Sequence, residues 1–266
     1  MIQKRNRIRV GTPLTPEMLD SLNALNPVAG LPENFDSRGD WEHTYRIWSC
    51  HGYKKSGNDD RGFLKLKRRL TNSGSVLMNV EQNILNHAGF LNTIKSDIEC
   101  KDDMMATPLQ WKIDSMFIGP DGKRIEDLGT RDRAKASDGV INMIRNGLKV
   151  QKRLKNVWTG DWCLPDVIQK LPFDETEPVE FDMMEEMSLL RSGQKLKYRG
   201  TQKAGVFNQN LHWFQQTGHG ILPYDYWLDD RHRLLYFVTL SIAYVLDPEA
   251  ETKFEKSLLT IDRGRG

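Results

Sequence analysis

The feature that most constrains this chain is a two-residue alternation that opens at Trp41. Through Tyr53, one set of positions carries Trp41, His43, Tyr45, Ile47, Ser49, His51 and Tyr53, and the other carries Glu42, Thr44, Arg46, Trp48 and Cys50. Successive strand side chains point to opposite faces, so this pattern specifies a strand with one buried face. The alternation returns at Phe63 to Leu70 and Val76 to Leu85, and a further strand is expected at Trp111 to Ile118. Val76, Val80 and Ile84, four apart, would also fit a helix, and the neighbouring strands favour the strand. Val140 to Arg145 and Leu148 to Arg153 flank Asn146-Gly147, whose residues suit a two-residue hairpin turn. With that pair at the tip, Arg145 faces Leu148 and Met143 faces Val150. Further strands are expected at Gln194 to Arg199, Leu211 to Gln216, Tyr224 to Leu228, Arg233 to Phe237 and Val238 to Leu246. Asp229 to His232 reads as the turn that pairs Leu228 with Arg233 and Tyr226 with Leu235.

Ten to twelve hairpin-connected strands imply a mainly β fold: a curved antiparallel sheet or partly closed β-barrel with two or three short helices. The helices are expected at Thr15 to Leu25, Pro165 to Leu171 and Phe181 to Leu190, the last on its Met184, Met187 and Leu190 spacing. Residues 1–40 read as an N-terminal adaptor, 41–250 as one antiparallel domain and 251–266 as a charged tail that frays.

Composition excludes several classes. The 38 basic and 36 acidic residues nearly cancel, to +2, which argues against a nucleic-acid partner. The longest apolar-rich run, Leu234 to Leu246, has 13 residues and contains Thr239 and Ser241. A helical span needs about 20, so no membrane span is expected. Met1 to Val10 is basic, but Gly-Thr-Pro-Leu-Thr-Pro-Glu follows in place of the apolar core of an export signal. The chain reads as cytoplasmic as written, and as periplasmic or exported if Met1 replaces a removed signal. Cys50, Cys100 and Cys163 are far apart without a C-x-x-C pair, so no zinc site is indicated. Three buried thiols, or one Cys50–Cys100 bridge, are the open readings. His43 and His51 share a face, but eight residues of straight strand separate them by about 26 Å, so no metal site is assigned.

The richest chemistry lies near the C-terminus. His212, Trp213, His219, Tyr224, Tyr226, Trp227, Asp229, Asp230 and His232 fall within 21 residues. The glycines of Gly218-His219-Gly220 permit close backbone approach. Aromatic walls with imidazoles and carboxylates at the rim suit a glycan or small-molecule ligand. His212, Trp213, His219, Tyr224, Tyr226, Trp227 and His232 are the candidate ligand contacts. His219, Tyr224, Tyr226 and Asp229 are the candidate acid–base groups. Glu99 with Asp102-Asp103, and Asp225 with Asp229, are the carboxylate groupings a glycosidase would need, at a separation the sequence does not give. Cofactor and nucleophile motifs are absent, so none is assigned. Pro172 to Leu190 carries seven acidic residues and no basic one, a candidate docking patch for a protein partner.

Tyr226-Trp227-Leu228-Asp229-Asp230, followed by Arg233-Leu234-Leu235, resembles the tryptophan-bearing hairpins of lipoprotein-carrier-like open barrels. That resemblance implies a curved sheet closed on one side by helices, which carries apolar ligands or handles cell-envelope components. Three functions follow as alternatives: a ligand-binding open barrel, a glycan-acting lyase or hydrolase using His219, Tyr226 and Asp229, and an interaction protein without a small-molecule site.

Overall fold

The computed structural model describes residues 31, 33–49, 59–86, 88–174, 177–204, 209–239 and 242–263. Expectations for the Thr15 helix, Cys50, His51, Tyr53 and His87 lie outside these residues. A single fifteen-stranded sheet dominates. Strands β1 (Trp41–Ser49), β2 (Asp59–Leu70), β3 (Ser75–Leu85), β4 (Leu91–Lys101), β5 (Pro108–Ile118), β6 (Arg131–Ser137), β7 (Val140–Arg145) and β8 (Leu148–Arg153) run outward from the middle. The chain then crosses to the far edge. There β9 (Trp158–Gly160) begins the return through β10 (Val179–Glu185), β11 (Leu189–Ala204), β12 (Gln209–Thr217), β13 (Tyr224–Leu228), β14 (Leu234–Thr239) and β15 (Ile242–Leu246). β15 pairs with β1, so both ends of the sheet-forming chain meet at its centre. All pairs are antiparallel except β9 with β10.

Cross-strand rows show why the sheet curls. Trp41, Arg68, Met78, Ile98, Trp111, Ala134 and Met143 are successive cross-strand partners on one face, and all are buried. A second inner row runs Ile47, Tyr244, Phe237, Tyr226, Phe214 and Tyr198. In it the Phe237 ring stacks on Tyr244 at 4.3 Å and on Tyr226 at 5.8 Å. One apolar face this wide is covered only by rolling the sheet onto itself. The roll brings Trp111 of β5 to Trp158 of edge strand β9, with ring centroids 6.0 Å apart.

Helix α1 (Leu164–Ile168) sits inside the roll with all five residues buried. Asp166 meets Arg68 Nε at 2.8 Å and Lys170 Nζ at 2.8 Å. Gln169 Oε1 accepts from Leu234 N at 2.9 Å and contacts His43 Nε2 at 3.0 Å. Burial raises the Asp166 carboxyl's pKa despite its two cations. Desolvation thus outweighs pairing, and the network fixes the plug's position more than it adds stability. Burial lowers His43 to about 4, so its ring is neutral near pH 7. A second helix, α2 (Ala250–Arg263), lies on the outer face. Phe254 packs on Phe63 at 5.9 Å, and Glu251 pairs with Lys65.

Several expectations hold and others are corrected. The Asn146-Gly147 hairpin pairs Arg145 with Leu148 and Met143 with Val150, with φ of +46° and +85° at its tip. The Pro165 helix is α1. By contrast, Phe181 to Leu190 is not helical: β10, a turn and the start of β11 occupy it. Phe181, Asp182, Met183 and Met184 are all buried, so both faces of β10 are covered and the period-two signal vanishes. β4 and β6 add strands the alternation did not single out. The β13–β14 hairpin pairs Leu228 with Leu234 and Tyr226 with Phe237, because a bulge shifts register between Trp227 and Leu228. The expected strand from Val238 to Leu246 is broken into β14 and β15, which places Val238 with Ala243, opposite the face of Tyr244. The charged tail is α2, since Ala250, Phe254 and Leu258 share a face that packs against Phe63, Leu85 and Leu91.

Candidate functional site

The plug fills only part of the roll. Beside it lies a cavity of about 350 Å³. Leu64, Leu66, Gln82, Ile84, Asn92 and Ile94 from β2–β4 form one wall. Tyr224, Tyr226, Phe237, Thr239, Ile242 and Tyr244 from β13–β15 form the other. Asp161, Trp162 and Pro165 of the plug provide the floor, and Met183, Glu185 and Glu186 close the third side.

Its polar end is built by one turn. Asp161 Oδ1 accepts from Trp162 N at 2.8 Å, and Oδ2 from Glu186 N at 2.7 Å. The second bond anchors the β10–β11 turn, where Glu186 and Met187 take φ of +48° and +50°. That conformation disfavours non-glycine side chains, so the turn stores strain beside the cavity. Met187 is fully buried over Gly160, where a Cβ would come within 2.3 Å of its Sδ. Burial raises Asp161 to about 7, against the two amide bonds and with help from Glu186 and Glu185. Glu185 is paired with Arg191 at 2.8 Å. Burial, with the Glu185 and Asp161 charges, pushes Tyr224 up to about 12. The result is a pocket of mixed lining, with Gln82, Asn92 and Thr239 among the apolar wall residues and three carboxyl groups, one of which titrates near neutrality.

A buried hydrogen-bond chain leads out of the cavity. Tyr226 Oη donates to Gln216 Oε1 at 2.9 Å, Gln216 Nε2 to Gln194 Oε1 at 3.2 Å, and Gln194 Nε2 to the His219 carbonyl at 3.2 Å. Gly218 is needed there, because a Cβ would lie 2.5 Å from Gln194 Oε1.

The residues singled out from sequence separate into distinct places. Tyr224 and Tyr226 line the cavity. Trp213 and Trp227 stack at 6.3 Å on the opposite face, where their indoles donate to Asp225 and Gln202. His212 and His232 sandwich Phe173, with centroids at 3.5 and 3.9 Å. His212 also contacts Tyr198 Oη and Asp230 Oδ1, each at 2.9 Å. The His219 side chain is exposed and, among the described residues, its ring makes no hydrogen bond. Asp229 caps its own turn by accepting from Arg231 N and Arg233 N. His219, Tyr226 and Asp229 therefore do not converge. Glu99 bonds Ser75 and Gln110, Asp102 bonds Arg68, and Asp225 bonds Trp213 and Gln215, so the carboxylate groupings do not face one another across this cleft.

Asp161, Glu185 and Glu186 were not anticipated as site residues. The acidic Pro172–Leu190 stretch is no uniform patch: Asp182 is buried and Glu185 and Glu186 line the cavity, while Glu180 faces out to Lys195. Among the described residues, no cluster of three His, Cys, Asp or Glu side chains is placed to hold a metal ion. Among them, too, no helix is long and apolar enough to cross a membrane.

No protein-family model matches this chain, and no curated protein sequence matches it. Among solved structures, it is similar to a β-barrel-like protein of a domain of unknown function, DUF1849, from Brucella abortus. The two share 9% identity with a TM-score of 0.52, over 78% of this chain and 94% of that one. The likeness is one of fold: a barrel-like curved sheet.

Proposed function

We propose that the protein is a binding protein for a small ligand with an apolar body and a polar end, held in the cavity between β2–β4 and β13–β15. The observation that carries this reading is the cavity's divided lining. Leu64, Leu66, Ile84, Ile94 and Ile242 supply apolar contact, and Asp161, Glu185, Glu186 and Tyr224 gather at one end. A volume of about 350 Å³ suits a compact ligand, and apolar pockets with few convergent polar groups are the usual form of such sites. The resemblance of the C-terminal hairpin to lipoprotein-carrier-like barrels supports an apolar occupant. The test uses N-phenyl-1-naphthylamine, a neutral probe that brightens in apolar surroundings. The expected result is saturable uptake with a micromolar Kd, weakened at least tenfold by Thr239→Trp in a variant with unchanged circular dichroism. Absence of uptake, or uptake indifferent to that substitution, would overturn the reading.

A second reading, an acid–base enzyme acting on a glycan in the same cavity, is favoured by Asp161 at about 7 beside two further carboxylates. Its test is hydrolysis of a panel of 4-nitrophenyl glycosides, with loss of activity in Asp161→Asn. Turnover that survives this substitution would contradict it.

A further inference from the structure

The seam of the roll contains a pair of thiols that neither reading of the cavity uses. Cys100 lies on β4, where the register with β5 shifts between Glu99 and Cys100. Cys163 lies just before α1, where the chain leaves edge strand β9 and turns into the interior. The two are 63 residues apart in sequence, fully buried, and their Sγ atoms are 3.7 Å apart. Among the described residues, β9 pairs with β10 alone, and no ladder bonds join it to β4 or β5. The seam rests on side chains: the Trp111–Trp158 contact, the charges around Asp166, and this thiol pair.

We propose that Cys100 and Cys163 are a modification site, a dithiol that exchanges with a small organic disulfide such as oxidised glutathione to cross-link the plug to β4. Sulfurs at 3.7 Å close to the ~2.05 Å of a disulfide by moving about 1.7 Å, within the reach of small side-chain rotations. In the exchange, one cysteine thiolate attacks the glutathione disulfide. A mixed disulfide forms and one glutathione thiolate leaves. The second cysteine, deprotonated, then attacks the mixed disulfide at the protein sulfur and expels the other glutathione. The two cysteines lose two electrons and two protons, and one glutathione disulfide becomes two thiols.

Hydrogen bonding to Cys163 and burial both raise the Cys100 thiol's pKa. The attacking thiolate is therefore scarce, and the native protein reacts slowly unless the seam opens. The bond would close a long loop and tie down the segment that carries Asp161 and Trp162, the cavity floor.

The experiment incubates the reduced full chain with oxidised glutathione, denatures it, alkylates free thiols and maps the peptides by mass spectrometry. The expected result is a linked Cys100–Cys163 peptide pair, two daltons lighter than the thiols, with Cys50 alkylated. The melting temperature should rise by roughly 5–15 °C over the reduced protein. Cys50→Ser should form the same bridge. A bridge to Cys50, glutathione retained on either residue, or both residues alkylated after treatment that oxidises the urea-unfolded chain would each overturn the proposal.

Discussion

Replacing Asp161 by asparagine separates the stability of the cavity floor into a part that depends on pH and a part that does not. In the folded protein Asp161 holds its proton up to about 7, against an ordinary 3.8. Between those values the folded chain keeps a proton that the unfolded chain has released. Stability therefore falls as pH rises from about 4 to 7, and levels off above that. The full shift corresponds to at most about 4 kcal/mol, at about 1.4 kcal/mol per unit. About 2.5 kcal/mol of it falls between pH 5 and pH 8. Asparagine does not titrate, but it has only one acceptor oxygen for the amides of Trp162 and Glu186. Orphaning one amide costs about 1–3 kcal/mol at every pH. Urea unfolding followed by circular dichroism at pH 5, 6, 7 and 8 measures both parts. Wild type should be the more stable at pH 5, and its advantage should shrink by about 2.5 kcal/mol by pH 8. A difference between the two proteins that stays flat within about 0.5 kcal/mol would mean that Asp161 titrates normally and is not held protonated by the fold.

Two other substitutions test the scaffold. Arg68 is fully buried and donates to Asp166, Asp102 and the carbonyls of Arg38 and Gly39. Arg68→Met should lower stability by about 3–5 kcal/mol, read as a fall of roughly 10 °C in melting temperature, because it leaves a buried carboxylate short of a partner. Gly62 has φ of +149°, and a Cβ there would lie 1.8 Å from the Asn83 carbonyl oxygen. Gly62→Ala should displace β2 from β3 and cost more than about 3 kcal/mol in a denaturant titration.

The sequence was most legible where one face of a strand is buried and the other wet. In β7, Ile141 and Met143 are buried between exposed Asn142 and Ile144, and Asn146-Gly147 adopts the left-handed pair its composition favours, so the register could be read directly. Legibility failed where the roll covers both faces, as in β10, and where a bulge absorbs a residue, as at Trp227–Leu228. At the site, Tyr224 and Tyr226, two apart on β13, both line the cavity. Trp213 and Trp227 lie on the opposite face, so the aromatic cluster was really two clusters. Asp161, Glu185 and Glu186 look like surface acids in sequence. Their place at the cavity arises only because distant strands close over the plug.

If the cavity beside the plug receives the ligand, a groove elsewhere on the sheet should not respond to it. One such groove lies on β6–β8, lined by Ala134, Met143, Ile144 and Val150. Isoleucine methyl NMR during titration with N-phenyl-1-naphthylamine distinguishes the two. Shifts should concentrate on Ile84, Ile94 and Ile242, which line the cavity, while Ile144 stays unmoved. Shifts centred on Ile144, with the three cavity methyls unchanged, would contradict binding in the cavity.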